Sequence, residues 1–116
     1  MWVVFDTNIY ISAFITPDGR GEAAYLKAVN GDVELVTSVS ILTELAGKLR
    51  GKFHWDDEQI KAAVRHVAAV AAVVKPAERL AVLADEPDNR ILECALEARA
   101  ELIVTCDRHL LELGRY

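Results

Sequence analysis

The chain opens on a four-residue run, Trp-Val-Val-Phe at positions 2–5, that is apolar throughout, rich in β-branched residues, and stops at Asp6. A strand without polar alternation is covered on both faces, which is the condition of a strand inside a parallel sheet. Such a sheet needs crossovers, and the sequence supplies helical text between further strand-like runs. Gly19 and Gly21 bracket a loop after Pro17, and residues 22–29 read as a helix stopped by Gly31, placed as a C′ residue. A second strand follows at 34–37. Ser38 or Ser40 caps the next helix, whose apolar positions Ile41, Leu42, Leu45 and Leu49 recur at helical spacing as far as Gly51, with Glu44 on the edge of that stripe.

Asp56, Asp57 and Glu58 give an acidic first turn to a long helix through Ile60, Val64, Val67 and Ala71. Residues 72–75 read either as a third strand before Pro76 or as a continuation of that helix. Asp85, Glu86, Pro87 and Asp88 form an acidic helix entrance, followed by Ile91, Leu92, Ala95 and Leu96 at helical spacing. Residues 102–105 form another buried strand, after which comes Asp107. Strands alternating with helices, joined by right-handed crossovers, predict a three-layer α/β/α sandwich with a mostly parallel central sheet.

With 116 residues the chain suits one domain, 1–116, able to bury roughly two thirds of its unfolded surface. No stretch approaches the eighteen or more uncharged apolar residues of a membrane span, and the start lacks the basic segment and apolar core of a signal peptide. A cytoplasmic location is expected. Cys94 and Cys106 match no zinc spacing, and His54, His66 and His109 are scattered, so both thiols read as reduced packing residues. The net charge of −5 argues against a protein that coats nucleic acid, unless several of its acids converge on divalent metal.

Four acids are candidates for that convergence: Asp6 after the first strand, Glu44 on the helix after the second, Asp88 at a helix start, and Asp107 after the last strand. In open parallel sheets ligands bind beyond the carboxyl ends of the strands, where Asp6 and Asp107 stand. Each acid also has an ordinary reading: a loop residue, an i to i+4 partner of Lys48, an N-cap, and the opening of a final helix. Gathered together, two carboxylates about 5 Å apart repel by roughly 3 kcal/mol at an effective dielectric of 20, so several need a counter-charge. Hard oxygen ligands in a cleft are what Mg²⁺ or Mn²⁺ requires.

In order along the chain, FDTN at 5–8, a serine-then-glutamate helix at 40–44, DEPDNRIL at 85–92 and IVTCD at 103–107 resemble the four acidic motifs of PIN-domain ribonucleases. The likeness extends from Val3 to Leu113 and is nearest to the toxin branch of bacterial toxin–antitoxin pairs (VapC-like). It implies that Asp6, Glu44, Asp88 and Asp107 form the acidic metal site, that Asn8 helps hold the loop of the first aspartate, and that Thr105 supports the last. Asp85 also suits the third acid. Asp88 is preferred because it stands directly before the helix expected to begin near Arg90 and Ile91. Similar proteins usually add a further strand and C-terminal segment after the last motif, whereas this sequence runs to Tyr116.

The expected activity is metal-dependent hydrolysis of RNA: water attacks a backbone phosphate in line, with one or two Mg²⁺ or Mn²⁺ ions orienting it and stabilising charge on the departing oxygen. The resemblance further implies products with 5′-phosphate and 3′-hydroxyl ends, a small antitoxin over the cleft, and self-association as a homodimer or higher oligomer. Lys48, Arg50, Arg90 and Arg108 are the cations nearest the acidic motifs along the chain and are open either to phosphate contact or to solvent. Three alternatives compete: a catalytically idle fold of the same type that binds RNA or a protein, a receiver-like or phosphoryl-transfer domain, and a DNA nuclease. The DTN motif, in place of DxD, and the lack of a lysine ending the last strand count against the second.

Overall fold

The structure, a computed structural model, describes residues 2–75 and 86–104, without the side chains of 86–88 and 102. In chain order these form β1 (Trp2–Phe5), α1 (Thr7–Ile15), α2 (Arg20–Val29), β2 (Glu34–Ser38), α3 (Val39–Phe53), α4 (Asp57–Val70), β3 (Ala72–Val74), α5 (Glu86–Ala98) and β4 (Leu102–Val104). The strands pair in the order β3-β2-β1-β4, and every pairing is parallel. The sheet and its helices make the expected three-layer α/β/α fold. Because the chain builds outward from β1 to β2 and β3 and then returns to the other side of β1, the order reverses between β1 and β4. The crevice beyond the carboxyl ends of those two strands is therefore the switch point of the sheet.

The all-apolar first strand is indeed covered on both sides: Val3, Val4 and Phe5 are buried. Leu35 and Val36 of β2 continue the core, which Ile41, Leu45 and Leu49 of α3 close with one face. From α5, Ile91, Leu92 and Cys94 are buried, and the helix packs along β1 and β2 and against α3. An aromatic chain of Phe5, Tyr10, Tyr25, Phe14 and Trp55 ties β1 to α1 and α2, with ring centroids 5.6–6.4 Å apart.

The structure adds α1, to which the sequence reading assigned nothing. Ile9, Tyr10, Ile11, Ala13, Phe14 and Ile15 put apolar groups on nearly every side of this helix, so no stripe stands out against a polar background. Elsewhere the differences are at boundaries. Ser38 caps α3, its hydroxyl oxygen accepting from the Ile41 N–H at 3.3 Å, and the helix runs past Gly51 to Phe53, ending at His54 with φ 56°. Asp56 is the N-cap of α4 and not part of its first turn; it forms a reciprocal box with Gln59. At Ala71 the chain turns extended, and β3 takes the strand alternative left open for residues 72–75. The Cys94 thiol is free and buried, while Cys106 and His109 lie outside the described residues.

Candidate functional site

Asp6 stands at the switch point. Its backbone N–H donates to the Val104 carbonyl at 3.0 Å, fastening the end of β1 to the end of β4. The residue is extended (φ −61°, ψ 151°) and caps α1: one carboxylate oxygen accepts from the Asn8 N–H at 3.2 Å and from the Thr7 hydroxyl at 3.3 Å. Asn8 thus meets Asp6 through its backbone, its side chain being exposed. The carboxylate sits in the positive field of a helix N-terminus, and the residue is only 6% exposed, so solvent shields its charge little.

Glu44 reaches the same end of the sheet by a different route. Ser38 closes β2 at its carboxyl end and starts α3 there, so the helix leaves from the edge on which Asp6 lies. From one turn further along, Lys48 extends its ammonium to within 3.2 Å of a Glu44 carboxylate oxygen, the i to i+4 pair anticipated from the sequence, and donates to the Thr7 hydroxyl oxygen at 3.1 Å. Asp6, Thr7, Lys48 and Glu44 therefore form a continuous polar chain from β1 and α1 to α3. Thr7, fully buried, is the member that sequence reasoning missed. A threonine following a strand carries no signal that distinguishes it from a core residue.

The third motif opens α5. The helix starts at Glu86, so Asp88 lies within its first turn and not directly before it, as the expected start near Arg90 had implied. Pro87 explains the early start, because proline fits the first turn of a helix, where its missing N–H costs nothing. The Asp88 side chain, together with Asp85, Thr105, Asp107 and Arg108, lies outside the described residues. Among the described residues no three His, Cys, Asp or Glu side chains gather closely enough to hold an ion. The donors that are described, two carboxylates with a cation drawn in beside one of them, are hard oxygens suited to a small divalent ion.

Further along α5 lies a polar group that the sequence did not disclose. Asn89, Arg90 and Glu93 are all buried, with Arg90 Nε 2.8 Å from a Glu93 oxygen. The approach is close but off the line of a hydrogen bond, so charge attraction holds the pair. Arg90 is thus enclosed, whereas Arg50 pairs with Asp57 at 2.9 Å on the exposed surface. Tyr10, one turn into α1, has a buried hydroxyl near that of Thr37; desolvation pushes its phenol far above the ordinary range, and Thr37 offsets this only in part. It packs the core and stays protonated.

A separate cleft of about 380 Å³, lined by Trp2, Gly31, Val33, Val70 and Ala72, opens at the amino ends of the strands, away from Asp6. Its apolar lining carries none of the candidate acids.

A doubly wound parallel sheet with an aspartate at its switch point, linked through Thr7 and Lys48 to a glutamate on α3, defines an α/β domain with carboxylates at the carboxyl end of its sheet. The chain belongs to the PIN domain family, whose pattern it matches over residues 2–109. A relative from Methanocaldococcus jannaschii, the uncharacterized protein MJ1680, is 33% identical over 116 residues, covering 96% of this chain and 74% of its own length. PIN domains are in general nucleases that use divalent metal.

Proposed function

We propose that this PIN domain is a metal-dependent endoribonuclease, the toxin component of a toxin–antitoxin pair, with Asp6, Glu44, Asp88 and Asp107 holding Mg²⁺ or Mn²⁺. The observation that carries the reading is the polar chain from Asp6 through Thr7 and Lys48 to Glu44, which joins two of the four acids at the carboxyl end of the sheet. When bound, the metal supplies the positive charge that offsets a phosphate and orients the attacking water. The protein's share is placement. The α1 cap and the bond from Asp6 to β4 fix one carboxylate, while Lys48 steadies the other. Asp85 is the reserve for the third acid, and Thr105 supports the segment of Asp107. A carboxylate not engaged by metal is the general base.

In this reading an antitoxin covers the cleft with a basic side chain, the domain associates with itself, and the protein works in the cytoplasm. No helix among the described residues is long and apolar enough to cross a membrane. A second reading, an idle domain that binds RNA or protein, draws on one observation: Lys48 already neutralises Glu44 without metal. The test is to incubate a mixed single-stranded RNA and its DNA counterpart with Mg²⁺, Mn²⁺ or EDTA. RNA cutting that needs metal and leaves 5′-phosphate ends supports the nuclease. Neither polymer cut under any metal, with RNA bound equally well in EDTA, overturns it in favour of the idle domain, and DNA cut in place of RNA overturns it in favour of a DNA nuclease.

A further inference from the structure

We propose that Lys48 is the site's resident counter-cation, which a divalent ion must displace from Glu44 and which therefore sets how much free metal the domain needs. The inference rests on the reading of Asp6 and Glu44 as metal ligands and extends it to a residue outside the acidic motifs. Three observations support it. The Lys48 ammonium is seated 3.2 Å from one Glu44 oxygen, so an ion on that oxygen meets a like charge at short range. Its hold crosses elements: the same ammonium donates to Thr7 at 3.1 Å, and the Thr7 hydroxyl donates on to Asp6 at 3.3 Å, so its charge bears on both acids. Finally, the Lys48 and Glu44 side chains are only 26% and 20% exposed, which limits screening by water and salt.

Removing the ammonium has two opposed effects on metal. It takes one partner from Glu44, which loosens that side chain and weakens binding, and it removes repulsion against a doubly charged ion, which strengthens it. Repulsion is the larger effect, because the ordering of one glutamate is a small cost beside a like-charge contact with a divalent ion in a partly shielded site.

Calorimetric titration of Mn²⁺ alone into the metal-free protein tests this, using wild type, Lys48→Met, Lys48→Gln, Lys48→Arg and Asp6→Asn, each shown to be folded by circular dichroism. The expected result is about tenfold tighter binding by the Met and Gln variants, or about 1.4 kcal/mol. The Arg variant, which keeps the charge, stays near wild type, and Asp6→Asn loses binding. If Met and Gln bind no tighter than wild type while Asp6→Asn still abolishes binding, the metal site stands and the role given to Lys48 falls. If folded wild type and all variants fail to bind Mn²⁺, both fall.

Discussion

Asp6 performs two tasks that a single substitution separates. As an N-cap it accepts from the first turn of α1, and asparagine does this about as well as aspartate; as a ligand it supplies charge, which asparagine cannot. Asp6→Asn is therefore expected to cut RNA roughly a hundredfold more slowly or worse while its urea midpoint moves little. Asp6→Ala, which loses both roles, should in addition lose about 1 kcal/mol of stability in the same urea titration. The sequence made Asp6 legible because the apolar run stops there. It left Glu44 undecided between an ordinary partner of Lys48 and a site acid, and the structure shows that the pair forms and also reaches Thr7. Arg90 and Glu93 were illegible: charges on a helix are read as solvated, and only the packing of α5 against the sheet reveals that they are enclosed.

At the scale of elements, the strands and the helices with one apolar face were readable, because burial on one side or both leaves a period of its own in the sequence. α1 was not, since apolar residues surround it, and its placement depends on close packing against the helix that follows. Gly21 of α2 lies so close to α1 that a β-carbon there would be 2.6 Å from Ser12 Cβ and 3.0 Å from the Ala13 nitrogen. Part of that obstruction is backbone, so Gly21→Ala is expected to destabilise the domain by about 1–3 kcal/mol in urea titration. It should also weaken Mn²⁺ binding, because α1 carries Asp6 at its head. By contrast Asp56→Ala, which removes the α4 capping box, should cost about 1 kcal/mol and leave cleavage unchanged.

For the whole molecule, the stability limit expected from its buried thiol and phenols lies on the alkaline side. Burial raises the Cys94 thiol from 9.0 to about 12 and the Tyr25 phenol from 10.0 to about 12. The folded protein thus keeps protons that the unfolded chain has already released, so their contribution is complete below the unfolded values and is lost as pH rises toward the folded ones. Urea midpoints should fall across that interval, and less steeply in Cys94→Ala. The same burial predicts that Cys94 resists alkylation in the native protein at neutral pH, which mass measurement after iodoacetamide treatment checks. The central claim is that acids from separate elements act as one metal site, and it bears hardest on Glu44, an acid whose position strand ends do not dictate and whose side chain is described. The direct measurement is the Mn²⁺-dependent rate of RNA cleavage by Glu44→Gln against wild type. A fall of roughly a hundredfold or more in a protein that remains folded is the predicted result; an undiminished rate would contradict the claim.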